Sequence, residues 1–97
     1  MEDNFNYKPL KLNNKKLKFP ISFDLKVVML SDDDEINKDI IIASLNDLKI
    51  PHNGWQVKES SNRTYKRYSV KVTLINHSKM LKMYHTLSKI DKVKVVL

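Results

Sequence analysis

Residues 21–48 read ISFDLKVVMLSDDDEINKDIIIASLNDL and pass from a period of two to a period near 3.6. Ile21, Phe23, Leu25, Val27 and Met29 alternate with Ser22, Asp24 and Lys26, the pattern of a half-buried strand over 21–30, with Pro20 marking its entry. A helix start follows. Asp32 is the expected cap, with Glu35 three residues on as its capping-box partner. The four consecutive acids Asp32, Asp33, Asp34 and Glu35 suit the positive end of the helix dipole. Ile36, Ile40, Ile41, Ala43, Leu45 and Leu48 form the expected apolar face, and Pro51-His52-Asn53-Gly54 ends the helix.

The chain then runs through a second set of elements. Trp55–Ser60 predicts a strand with Trp55 and Val57 on one face and Gln56 and Lys58 on the other. Ser61-Asn62-Arg63-Thr64 makes a polar hairpin connection, and Tyr65–Ile75 alternates again. There Tyr68, Val70, Val72 and Leu74 oppose Arg67, Ser69, Lys71 and Thr73. Asn76 or Ser78 caps a second helix that buries Met80, Leu81, Met83, Tyr84, Leu87 and Ile90 and turns Lys79, Lys82, Thr86 and Lys89 outward. A last short strand covers Val93–Leu97. Upstream, residues 1–18 show no clean period and are rich in Asn and Lys. They are expected to be a flexible tail, with Phe5, Tyr7, Leu10 and Leu12 available for docking.

Strand, helix, strand, strand, helix, strand with right-handed crossovers is the split βαβ. The expected class is α+β: a ferredoxin-like βαββαβ domain over 19–97, a four-stranded antiparallel sheet with two helices on one face. The other face is left open. By parity it carries Asp24, Lys26, Gln56, Lys58, Arg67, Ser69, Lys71, Thr73 and Lys94, with Val28 and Val96 as apolar exceptions. The last strand and Trp55–Ser60 belong at the sheet edges, where strand pairing between copies would give a homodimer.

Composition narrows the chemistry. The 97 residues contain one Gly and no Cys, which excludes multi-glycine phosphate loops, disulfides, thiolate zinc sites and a Cys nucleophile. No apolar run approaches the ~20 residues that span a bilayer, and MEDNFNYKPL lacks a signal-peptide core, so a cytoplasmic protein without membrane contact is expected. The net charge of +7 is uneven: residues 1–52 hold 8 Lys and 9 acids, and residues 53–97 hold 10 Lys and Arg and 2 acids. A basic surface attracts nucleic acid, an anionic membrane or an acidic partner.

The run Leu87-Ser88-Lys89-Ile90-Asp91-Lys92-Val93-Lys94-Val95-Val96-Leu97 is similar to the ending of the YbeD-like proteins, small bacterial proteins of uncharacterised function. Phe19-Pro20-Ile21-Ser22-Phe23-Asp24-Leu25-Lys26-Val27 resembles their opening strand, and Val57-Lys58-Glu59-Ser60-Ser61 and Tyr68-Ser69-Val70 resemble the flanks of their hairpin. The resemblance covers roughly residues 19–97. The family usually has a Gly in that hairpin, where this chain has the longer Asn62-Arg63-Thr64. The resemblance implies a fold like that of ACT regulatory domains, which bind amino acids and control metabolic enzymes. It carries over no catalytic residue.

Specific chemistries fare poorly. An EF-hand loop spreads its ligands over twelve residues around a Gly, so the acid run reads as a capped helix start. An ACT-type ligand loop uses a Gly where this chain has Leu30-Ser31-Asp32-Asp33, and four acids repel a carboxylate. The acylphosphatase loop of the same fold needs an Arg that is absent here. His52, His77 and His85 lack metal-ligand spacing, and Ser31, Ser78 and Ser88 suggest no triad. RNA-recognition sheets stack bases on open-face aromatics. Here Phe23, Trp55 and Tyr68 have helix-side parity, and only Tyr65 has open-face parity. The expectation is therefore a non-enzymatic regulatory or protein-interaction module, without cofactor or metal. Nucleic-acid binding through Lys26, Lys58, Arg67, Lys71 and Lys94 is the alternative, and an amino-acid sensor comes third.

Overall fold

The computed structural model describes residues 18–59 and 63–97. The elements are β1 (Ile21–Leu30), α1 (Asp34–Asp47), β2 (His52–Glu59), β3 (Tyr65–Leu74), α2 (His77–Ser88) and β4 (Val93–Val96). The strands form one antiparallel sheet in the order β2-β3-β1-β4. Each helix is the crossover between strands that are not neighbours, which is the ferredoxin-like arrangement expected from the pattern. Residues 1–17 of the expected tail and residues 60–62 of the hairpin connection lie outside the described residues.

The long central pair is β1 and β3, in register over ten residues from Ile21 opposite Leu74 to Leu30 opposite Tyr65. Leu25, Val27, Met29, Tyr68, Val70, Val72 and Leu74 are buried against Ile41 and Leu45 of α1 and Met80, Met83, Tyr84 and Leu87 of α2. Burial of these side chains is the main stabilising term. The period-two alternation therefore sorts the sheet as expected.

Several details differ from the sequence reading. The cap of α1 is Asp33, not Asp32: its carboxylate accepts from the backbone N–H of Glu35 at 2.8 Å and of Ile36 at 3.4 Å. Glu35 is thus one residue too close to close a capping box with it. The buried face of α1 also differs from the apolar face expected. Ile36 is 49% exposed and Ala43 is exposed, while Asn37 is fully buried in line with Ile41 and Leu45. On α2, Asn76 is the cap, accepting from the Lys79 N–H at 2.8 Å, and Leu81 lies outside the buried stripe.

Strand β2 begins earlier than expected, at His52, and breaks register between Asn53 and Gln56. Gly54 sits in that irregularity at φ +72. A Cβ there would meet nothing within 4 Å, so it is the left-handed backbone, not space, that favours glycine. A second irregularity moves Val96. Met29 pairs with Val93 but Val28 pairs with Val95, so β4 advances two residues while β1 moves back one. The alternation slips, putting Val95 on the open face beside Val28 and burying Val96. As expected, β2 and β4 are the edges.

Candidate functional site

Two places on the molecule concentrate polar chemistry: the loop where β1 meets α1, and the uncovered face of the sheet. The loop holds the acid run, and most of its charge is already engaged. Asp34 Oδ1 accepts from Lys66 Nζ at 2.9 Å and from the Tyr68 hydroxyl at 2.8 Å. These bonds hold the Asp34 carboxyl below its ordinary range, the lysine first and the tyrosine second. Asp32 Oδ2 accepts from Lys92 Nζ at 2.7 Å, and the Asp32 pKa is lowered chiefly by that bond and then by the backbone N–H of Asp33. Lys66 is raised by its bond to Asp34. Tyr68 is raised first by burial and then by donating to Asp34.

Buried Asn37 completes the cluster. Its amide donates to the Leu30 carbonyl at 3.1 Å and to the Tyr68 hydroxyl at 3.2 Å. The network ties the start of α1 to β1 and β3. With Asp33 capping, Asp32 and Asp34 paired to lysines, and Glu35 exposed, the acid run is a built helix start. Among the described residues no group of His, Cys, Asp and Glu could hold a metal ion. The histidines stay apart: His52 bonds Asn46 at 3.1 Å, and His77 lies edge-on to Phe19. Tyr84 is pushed up to about 12 by burial in the core.

The open face is a grid whose rows are set by register. Crossing β2, β3, β1 and β4, one row reads Lys58, Arg67, Val28 and Val95. The next reads Gln56, Ser69 and Lys26 on the first three strands, with Leu97 bonding the Lys26 backbone beyond. Lys71 and Asp24 stand opposite one another in the row below. Lys26, Lys58, Arg67 and Lys71 occupy this face by register, and Lys94, in the irregular stretch of β4, brings its ammonium 5.5 Å from the Tyr65 ring. Two adjoining hollows mark the surface. One of about 320 Å³ is lined by Val28, Lys58, Glu59, Tyr65, Lys66 and Arg67, and one of about 350 Å³ has Gln56, Ser69, Lys58 and Arg67 on its wall.

The basic residues divide by use. Lys66 and Lys92 neutralise Asp34 and Asp32. Lys79 Nζ donates to the Leu48 carbonyl at 2.7 Å, serving the end of α1. Lys58 and Arg67 form no ion pair among the described residues, and the Arg67 Nε is buried without an acceptor there. Their charge is directed outward, to solvent or to a partner.

Sequence reasoning found the five cations and the acid run but missed Asn37, the lysine partners of the acids and the Val28–Val95 pair. Asn37 was findable: it precedes Ile41 and Leu45 at steps of four.

A family model described as protein of unknown function (DUF493) matches residues 14–97. The chain belongs to that family, which is the YbeD-like family of the resemblance. The fold is also that of solved structures. Protein HP0495 from Helicobacter pylori is 21% identical, with a TM-score of 0.71 over 93% of this chain and 94% of that one. A second solution structure of HP0495 gives 22% identity and a TM-score of 0.54, covering 89% of this chain and 100% of that one. The C-terminal domain of the MgtC protein from Mycobacterium tuberculosis is 12% identical, with a TM-score of 0.64 over 84% of this chain and 89% of that one. At these identities the likeness is one of fold. Nothing among curated proteins matches. No helix among the described residues is long and apolar enough to cross a membrane.

Proposed function

We propose that this member of the DUF493 family is a non-catalytic interaction module that works through the open face of its sheet and engages an acidic surface of another protein. The observation that carries the reading is the division of charge just described. The helices cover one face, and the other gathers Lys26, Lys58, Arg67, Lys71 and Lys94 against Asp24, with Glu59 at the rim of the hollow lined by Lys58 and Arg67. A field of one sign on a flat surface steers association with a partner of the opposite sign. A regulatory role, as in other domains of this general architecture, would follow from what the partner does.

A protein partner fits this face better than nucleic acid does. Single-stranded nucleic acid gains much of its affinity from stacking on exposed aromatics. Tyr65 is the aromatic residue that β3 brings to this face, and the Lys94 ammonium lies over its ring.

The test is affinity capture from native lysate after nuclease treatment, with the wild-type chain and Lys58→Glu/Arg67→Glu side by side. A defined protein held by the wild type and lost by the variant supports the reading. Capture that depends on intact nucleic acid moves the nucleic-acid alternative to first place. A partner held equally by both proteins removes the open face from consideration.

A further inference from the structure

The row Lys58–Arg67–Val28–Val95 is polarised. Two cations stand on neighbouring strands β2 and β3, and two valines on neighbouring strands β1 and β4. Adjacent strands lie about 4.8 Å apart, so the row passes from cationic to apolar within roughly one strand spacing. Val28 and Val95 are half-buried, which leaves part of each side chain at the surface. The 320 Å³ hollow lies where the two halves meet, with Val28 on one side and Lys58 and Arg67 on the other. The acid beside it, Glu59, pairs in register with Lys66, which shares a face with Tyr68 and Met29 on the helix side. It lines the same hollow but, among the described residues, forms no ion pair with Lys58 or Arg67.

We propose that this row is a recognition site for an acidic–apolar segment of a partner protein. Such a segment presents a carboxylate and an aliphatic side chain about 7 Å apart, as residues i and i+2 of an extended chain do. The inference rests on the open face being the working surface and adds the chemistry of what it takes. The carboxylate sits on Arg67, whose guanidinium offers a planar set of donors, with Lys58 on its far side. The aliphatic group covers Val28 and Val95. Ser69 and Gln56, in the next row, face the backbone of the bound segment. An anion without the apolar group leaves the valines wet, and an apolar group without the carboxylate leaves two cations unmatched. The site discriminates by requiring both.

The test uses isotope-labelled full-length protein and amide chemical shifts, titrated to millimolar peptide. One probe is a short peptide with Glu and Leu at alternate positions. The controls replace every Leu by Ser, or every Glu by Gln. The expected result is shifts centred on Lys58, Arg67, Val28 and Val95 with the Glu/Leu peptide, and affinity weaker by about tenfold for either control.

Variants separate this site from the broader reading. Val28→Thr/Val95→Thr keeps shape and strand propensity, and its amide spectrum reports folding directly. It should weaken the Glu/Leu peptide and leave the Glu/Ser peptide unchanged. Equal binding of the Glu/Leu and Glu/Ser peptides by the wild type, or no effect of the double threonine variant, overturns the site while leaving a purely electrostatic open face standing. No open-face shifts with any peptide overturns the site. If Lys58→Glu/Arg67→Glu also leaves native capture unchanged, the open face falls with it.

Discussion

Replacing Tyr68 by Phe tests the polar network at the start of α1 with the smallest change available. The ring is fully buried and would stay. Only the hydroxyl goes, with its bond to Asp34 at 2.8 Å and its acceptance of the Asn37 amide at 3.2 Å. The Asp34 side chain is 44% exposed, so solvent screens its charge and the bond is taken at the ordinary net value of about 0.5–1.5 kcal/mol. Two effects reduce the loss: Phe has no hydroxyl to desolvate, and Asn37 keeps the Leu30 carbonyl at 3.1 Å. The expected net cost is about 0.5–1.5 kcal/mol at neutral pH. For a domain of this size each kcal/mol lowers the melting midpoint by roughly 4–8 °C.

The pH dependence gives the experiment its second arm. The Asp34 pKa in the fold lies below its ordinary 3.8, first because of Lys66 and then because of Tyr68. A carboxyl depressed in this way contributes stability that is full above the unfolded pKa and is lost as pH falls through the folded one. Removing the Tyr68 hydroxyl raises the folded value, so the gap between wild type and variant is widest near neutrality and narrows below about pH 4. Thermal and urea unfolding followed by circular dichroism, at about pH 7 and about pH 3, measure both arms. Equal stability at neutral pH refutes the network. A gap of unchanged size in acid refutes its assignment to the Asp34 carboxylate.

Asp33→Ala removes the cap of α1 and is expected to cost about 1 kcal/mol, with the loss visible as a lower urea midpoint. Asp34→Asn and Asp32→Asn each flatten the loss of stability below about pH 4, because both carboxyls are depressed in the fold; melting curves across that range check the slope. Leu45→Ala opens a cavity beneath the sheet and is expected to cost about 2–5 kcal/mol in denaturant unfolding, while Ala43→Ser on the exposed side of the same helix changes stability by less than about 0.5 kcal/mol.

The strands were legible because their burial is one-sided and their side-chain period is an integer. Ten residues of β1 and ten of β3 sort to two faces by counting, and the counting survives errors at the ends. It fails at irregularities. The slip between Val28 and Met29 exchanges Val95 for Val96 on the open face, and nothing in a Val-Lys-Val-Val run signals an extra residue. The helix was legible in existence but not in phase. Asp32, Asp33 and Asp34 are each able to cap, and apolarity alone places Ile36 on the face where the fold instead buries Asn37. The selection goes with long-range pairs: Lys66 bonds Asp34, Lys92 bonds Asp32, and Asp33 caps the helix.

That selection also decides what the charge of the molecule means. The second half of the chain carries ten basic residues, and their count alone suggests a diffuse positive surface. Lys66, Lys79 and Lys92 are instead engaged with groups near the two ends of α1. Lys66 and Arg67 are adjacent in sequence and lie on opposite faces of β3, so one step along a strand separates a cation that holds the fold together from one that faces outward. Sequence charge cannot make this distinction, because it depends on which face meets an acid. The cations left over converge beside two valines that a bulge has brought together. The open face is therefore defined by what the rest of the fold leaves unpaired: Lys58 and Arg67 on one half of the row, Val28 and Val95 on the other.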